Sequence, residues 1–466
     1  MTREPKVPSE AAPIFSLTVA EAVDRIRAVN PTVNAYVSTR LDDAMVEAFA
    51  GAVEAPRSSL HGVPFGLKDE WETLCLPTTG GSWRHRDRRS SRDGEVYRTF
   101  ADAGAVLVGK SNLSDMGLAA EASNYLVGAS RNPWDVSRTA GGSSGGAAAA
   151  VAAGMQSFDW GTDIGGSIRQ PAAFCGVFGL RLSSETWPIL ASFPSVPATL
   201  GWMCGQGPLT RTTAQMRAVL AAAAGRLRIG AACGFHLTGA VVYAPPPLGD
   251  WPTFEQDVRP HLEAAFDGGV RTDHGLPDGA RMRSVYSAVW ASHLEQLVEA
   301  DPTLTLGTGL LATASALLFR GRLGDRRVHP DCAAILALIA LGRVTLYRDG
   351  ERALREAMAI RDLFSALWAR GLIVVSPVST GPAPVVGRGN RDHARVICWT
   401  GPGNLADATG LSIPFGRFGH LPRALQLMGP PGSEALLLDL ADRLIASRDR
   451  VDDLRPRPWP MDARRG

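Results

Sequence analysis

Two serines that each follow a pair of glycines carry the clearest chemical signal in this 466-residue chain. Ser143 ends Gly141-Gly142-Ser143 and Ser167 ends Gly165-Gly166-Ser167. A glycine pair lets the backbone turn where a Cβ would clash, so that successive N–H groups can converge on an anion. Such loops suit acyl transfer, in which a hydroxyl attacks a carbonyl and the resulting oxyanion is held by the loop's own amides. Other readings of the tract exist. Gly/Ser composition also describes a flexible linker. Gly142 to Gly146 fits G-x-S-x-G, which would make Ser144 an elbow nucleophile served by His393 or His420. A phosphate loop is disfavoured, because no Lys-Ser or Lys-Thr pair follows the glycines.

An upstream segment, His61 to Asp69 (H-G-V-P-F-G-L-K-D), adds a third element, Lys68. Together with the two serine loops it resembles the amidase signature family. Other blocks are similar to the family in the same order: D-A-G-A-V-L-V-G-K-S-N, R-N-P-W-D, F-C-G-V-F-G-L, G-P-L-T-R-T, N-L-A-D-A-T-G-L-S-I-P and A-L-Q-L-M-G-P-P. The resemblance implies a Ser-cisSer-Lys triad, which falls on Lys68, Ser143 and Ser167. It implies a cis peptide bond at Gly142–Ser143 and an oxyanion hole from the backbone amides of Ile164, Gly165, Gly166 and Ser167. Ser167 is the expected nucleophile, Ser143 the proton bridge and Lys68 the base. Ser144 is expected to support this network from behind, and Asp163 and Arg169 to hold the loop's shape by ion pairing.

Lysine can act as a base only as the neutral amine, and a free lysine has a pKa near ~10.4. Burial and local donors must therefore bring Lys68 down to about 7–8. The competing reading of Lys68 is a surface ion pair with Asp69 or Glu70. No metal or organic cofactor is called for: the nine histidines are dispersed, without H-x-x-x-H or H-E-x-x-H. Three departures from the family pattern stand out. Glu70 replaces a common asparagine, Arg181-Leu182-Ser183 replaces Lys-Pro-Thr, and the Y-G-x-V-S segment of glutaminase subunits is not recognisable.

The elements that must position these groups alternate between strand and helix, which argues for an α/β layered fold. The resemblance sharpens this to a large mixed β-sheet core covered by helices. Thr18 opens a capping box before a helix with Val19, Ala22, Val23, Ile26 and Val29 at helical spacing. A second helix is expected over Asp42–Val53. Gly62–Leu67 and Ala105–Val108 read as strands, Glu95–Ala103 and Gly145–Gly154 as helices. Glu351–Ala369 reads as a helix before a strand at Leu372–Ser376, and Ser433–Ser447 as a closing amphipathic helix. The expected organisation is a helical segment over residues 1–58 packed on a catalytic domain over 59–466. Residues 183–205 and 225–330 match the family less well and are either pocket-shaping segments or surface insertions. Their tryptophans and apolar stretches incline the reading towards a hydrophobic or aryl acyl group.

Composition narrows the class. Hydrophobic content of 45% and charge of 20% are those of a globular chain. A net charge of +2 gives no reason to expect nucleic acid or an anionic membrane. The six cysteines show no C-x-x-C and suit buried thiols of a reducing compartment. No apolar leader is seen at the N-terminus, and the apolar stretches Leu310–Phe319 and Ala333–Leu341 fall short of the ~20 residues of a membrane span, reading as buried helices. The expectation is a cytoplasmic, cofactor-independent amidohydrolase acting on a small-molecule amide, alone or as a homodimer. The alternatives are a glutaminase subunit that needs a partner chain, or a serine esterase of the same fold.

Overall fold

The computed structural model describes residues 13–228, 235–243, 251–267, 269–272, 275–292, 328–332 and 350–447. The apolar stretches at 310–319 and 333–341 lie outside the described residues. Eleven strands form one mixed sheet. In chain order its first half holds β1 (Tyr36–Thr39), β2 (Pro64–Lys68), β3 (Val106–Ser111), β6 (Phe158–Asp163), β7 (Phe178–Arg181) and β8 (Gly205–Thr210). The second half holds β9 (Gly239–Val242), β10 (Val270–Arg271), β11 (Leu372–Pro377), β12 (Thr409–Phe418) and β13 (Leu421–Gly429). The spatial order is β1-β3-β2-β6-β8-β7-β12-β13-β11-β9-β10. A small hairpin, β4 (Arg131–Asn132) with β5 (Asp135–Thr139), stands apart.

The strands that matter most are covered on both faces and read accordingly as unbroken buried runs. Every residue of β2, β3 and β6 is buried. β2 lies parallel between β3 and β6, with Leu67 opposite both Lys110 and Trp160. On one face Phe65, Phe100, Phe158, Trp160 and Trp187 make a chain of aromatic contacts 5.1–5.8 Å between ring centroids. On the other lies α4 (Gly145–Ala152), whose eight residues are all buried. Its small side chains let the helix backbone approach the sheet; a Cβ on Gly146 would run into the backbone of Asn112 and Ala35.

The N-terminal helix α1 (Val19–Val33) carries the capping box expected at Thr18, with Glu21 closing it reciprocally. Val19, Ala22, Val23, Ile26 and Val29 are buried as their spacing predicts. The second helix, α2, spans Leu41–Gly51 and the third, α3, Glu95–Asp102. Between α1 and α2 the structure inserts β1, which pairs antiparallel with β3 and joins the first residues to the main sheet. Four residues of mixed exposure carry too little periodicity to announce such a strand. Helix α5 (Arg169–Cys175) follows the second serine loop directly. After β8 come α6 (Thr213–Ala222), α7 (Trp251–Ala265) and α8 (Gly279–Ser292). Then follow α9 (Gly350–Ala369), α10 (Gly389–Leu405) and α11 (Glu434–Ala446). In α11 the residues turned inward are Leu437, Leu438, Leu440, Ala441 and Leu444, with Leu436 and Ile445 at the edge of the core.

Candidate active site

Lys68 is the last residue of β2, where the strand runs out of the sheet between β3 and β6. It is fully buried, which removes the surface ion pair as its explanation. Its Nζ donates to Ser143 Oγ at 2.8 Å and to Thr162 Oγ1 at 2.8 Å. Glu70 Oε1 stands 3.3 Å away as a buried ion-pair contact. Asp69 turns elsewhere, to Lys110 Nζ at 3.2 Å and to the Thr79 hydroxyl. Burial is the largest influence on Lys68 and pushes its ammonium below the ordinary lysine value, against the pull of Glu70, Asp163 and Asp159.

Ser143 stands in the turn that leads into α4, and its preceding peptide bond, Gly142–Ser143, is cis. Glycine is needed there because a Cβ on Gly142 would stand 2.7 Å from Glu121 N and 2.8 Å from Ala119 O. Ser144 N donates to Ser167 O at 3.1 Å, which ties the two serine loops together through their backbones. The Ser144 hydroxyl is wholly buried and donates inward to Thr162 O at 3.3 Å. That orientation does not suit an elbow nucleophile. His420, one of its two candidate partners, is exposed beside Asp135; the His393 side chain lies outside the described residues.

The loop after β6 is fixed through its carbonyl groups. Asp163 O accepts from Asn404 Nδ2 (3.0 Å), Ile164 O from Tyr286 Oη (2.9 Å) and Gly165 O from Thr400 Oγ1 (2.7 Å). Gly166 O accepts from Gln170 N (2.7 Å). In a trans peptide the N–H of the next residue points opposite to the carbonyl. Pinning these carbonyls therefore aims the amides of Ile164, Gly165 and Ser167 the other way. Gly166 behaves differently: its N–H is taken by Asp163 Oδ1 at 2.9 Å, so it closes the loop and is not free to receive an anion. Its φ of 113° is one that a side chain rarely adopts.

Beneath the loop lies a buried charge cluster. Arg169 grips both oxygens of Asp163, at 2.9 and 2.8 Å, and also reaches Asn404 and Gln426. Burial pushes the Asp163 carboxyl up, but Arg169 and Arg181 more than offset it and hold the group far below the usual range. Arg181 binds Asp407 at 3.0 Å, and the Ser183 and Ser184 hydroxyls bind the same carboxylate at 2.9 and 2.7 Å. The departure at Arg181-Leu182-Ser183 is thus part of a self-consistent network.

Ser143 and Ser167 line one narrow cavity of about 50 Å³ together with Glu70 and Thr162. Both weakly matching segments contribute to its wall: 183–205 supplies Ser192, Pro194 to Pro197, Leu200 and Cys204, and 225–330 supplies Trp290. Among the described residues no hydrogen bond joins the Ser143 and Ser167 hydroxyls. Sequence reasoning missed Thr162, Tyr286 and Thr400, and it saw Asn404 only as part of a block. Tyr286, Thr400 and Asn404 reach the loop from as many as 241 positions away, and Thr162 meets Lys68 across 94, with no local motif to mark them.

A family model for amidases matches residues 18–229. One of the subunits of the glutamyl-tRNA(Gln) amidotransferase of Myxococcus xanthus is 33% identical over 94% of this chain and 94% of its own length. The chain belongs to the amidase signature family. It is therefore an amidohydrolase acting on C–N bonds. Solved structures repeat the fold of this amidase. A bacterial aryl acylamidase of the amidase signature family superposes with a TM-score of 0.74 at 21% identity, covering 95% of this chain and 96% of that one. The peptide amidase of Stenotrophomonas maltophilia gives 0.73 at 23%, covering 95% and 94%. No helix among the described residues is long and apolar enough to cross a membrane, and none of their His, Cys, Asp and Glu side chains cluster as a metal site.

Proposed function

We propose that this amidase cleaves a small-molecule carboxamide or substituted amide through an acyl-serine intermediate on Ser167. The observation that carries this reading is the fully buried Lys68 amine, 2.8 Å from Ser143 Oγ, with Ser143 and Ser167 on one cavity wall. In the neutral state Lys68 takes the Ser143 proton while Ser143 takes that of Ser167, and Ser167 Oγ attacks the carbonyl carbon. The oxyanion is received by the amides of Ile164, Gly165 and Ser167, each such donor being worth about 2.7–4 kcal/mol of barrier. The proton returns through Ser143 to the leaving nitrogen, and the C–N bond breaks. Water then attacks the acyl-enzyme, its proton passes to Lys68, and the relay returns that proton to Ser167 Oγ as the ester bond breaks and the acid leaves. An ester is an easier acyl donor for the same machinery. The chemistry fits a cytoplasmic enzyme working without a cofactor.

Turnover of an amide panel tests this, with Ser167→Ala and Lys68→Ala as comparisons. Both substitutions should abolish acylation, and a fluorophosphonate should add its mass to Ser167 alone. Undiminished turnover by Ser167→Ala removes Ser167 as nucleophile. A second reading has one observation behind it, the 33% identity to a glutamyl-tRNA(Gln) amidotransferase chain. It makes this protein a glutaminase whose activity needs a partner; hydrolysis by the chain purified alone rules that out.

A further inference from the structure

Glu70 is the one charged side chain among the described residues of the cavity wall. It is 94% buried, since its relative exposure is 6%, and the wall around it is largely apolar, with Met116, Leu118, Val196 and Trp290. Oε1 accepts no hydrogen bond; its contact is the ion pair with Lys68 Nζ at 3.3 Å. Oε2 is turned to the cavity: a Cβ built on Gly117, itself on the wall, would stand 3.7 Å from Glu70 Oε2 and 3.9 Å from Ser143 Oγ. Carboxylate and proton bridge thus flank one point. Asp69 does not share this role, being committed to Lys110 and Thr79.

The pairing creates a conflict that a ligand can resolve. While Lys68 is charged, it neutralises Glu70. The base, however, must be uncharged to act, and at that moment a buried carboxylate is left without a counter-ion, which is strongly unfavourable. A cation brought in by the substrate removes that cost at the step where it arises.

We propose that Glu70 is a specificity-determining residue and that the substrate is an amide carrying a protonated amine a few bonds from the scissile carbonyl, received by Glu70 Oε2. This rests on Lys68 acting as the neutral base. Only proton transfers already described take place; the new contact is an ion pair, with no bond made or broken.

Isosteric probes test it directly. Glycinamide and propanamide differ in an ammonium against a methyl, as do β-alaninamide and butanamide. Their binding is measured by calorimetry from pH 6 to pH 8.5, so that the range reaches towards the uncharged state of Lys68 while the β-alaninamide amine is still largely protonated, on the Ser167→Ala chain, with and without Glu70→Gln. At least one cationic member should bind ten or more times tighter than its neutral isostere, and Glu70→Gln should erase that preference. Equal binding within both pairs, a preference for the neutral members, a preference that survives Glu70→Gln, or no binding of any cationic member would overturn the proposal. The comparison on Ser167→Ala alone decides every outcome but the third, so a poorly folding Glu70 variant leaves the test intact. Fluorophosphonate labelling of the unmodified chain reports separately on the nucleophile. A labelled Ser167 without ammonium preference sinks this inference only, and an unlabelled Ser167 sinks the reading beneath it.

Discussion

Tyr286→Phe removes a single hydroxyl, the donor that holds Ile164 O at 2.9 Å. The Ile164 carbonyl shares its peptide plane with the Gly165 amide, so the substitution frees one of the three amides assigned to the oxyanion. Loss of one hydrogen bond should lower stability by about 0.5–1.5 kcal/mol. The effect on rate is bounded by the worth of a whole oxyanion donor, about 10²–10³-fold. Misalignment short of complete loss should fall at ~10–100-fold. Thr400→Val is the internal control. It removes the donor to Gly165 O at 2.7 Å and should cost similar stability. The affected plane, however, carries the Gly166 amide, which Asp163 Oδ1 still anchors at 2.9 Å and which receives no oxyanion. Its rate should drop by no more than ~3-fold. The rate of fluorophosphonate addition to Ser167, followed by intact mass, reads both variants without knowledge of the natural substrate. If Thr400→Val slows addition as much as Tyr286→Phe, the assignment of Gly165 over Gly166 is refuted.

Three further outcomes are expected. The rate of Ser167 phosphonylation should rise with pH through the ionisation of Lys68, with a midpoint below the ordinary lysine value because burial outweighs Glu70, Asp163 and Asp159; a midpoint at or above about 10.4 would contradict the base assignment. Asp159 is buried and raised to about 6, chiefly by desolvation, with Gln156, Ser111, the Trp160 amide and Lys68 opposing. An acid held above its ordinary value binds more protons folded than unfolded between pH about 4 and 6, so its contribution to stability is present at the acid end and is lost as pH rises through 6. Asp159→Asn should flatten that part of the stability–pH curve, by at most about 3 kcal/mol, as read from denaturant midpoints at pH 4.5 and 7. Asp163→Ala leaves Arg169 without its carboxylate in a fully buried site and should cost about 3–5 kcal/mol. A variant melting within a degree or two of the unmodified chain would show that the cluster does not hold the loop.

The parts legible in the sequence are those whose physics is local. The capping box at Thr18 is satisfied within four residues. The strand–helix alternation around Lys68 placed β2, α3 and β3 within one to three residues of their observed ends. β1 escaped because a four-residue edge strand has no period of its own. Glu70 was visible as a departure and as one of two surface partners for Lys68; its burial beside Lys68 and the orientation of Oε2 belong to the folded site. Gly166 shows the limit most sharply. The glycine pair signals a tight loop, yet which amide faces the cavity depends on where the Asp163 carboxylate ends up.

Residue chemistry could be read from the order of amino acids: two hydroxyls on glycine turns, one amine at a strand end, and the blocks that mark the family. Burial of that amine came from the packing of distant segments, as did its contact with Ser143. So did the reach of Tyr286, Thr400 and Asn404 back across the chain to orient the loop. The division follows the range of the forces. Glycine φ angles and helix caps are settled by neighbours in sequence, whereas desolvation of a charge and the direction of an amide are set by whatever the fold packs against them.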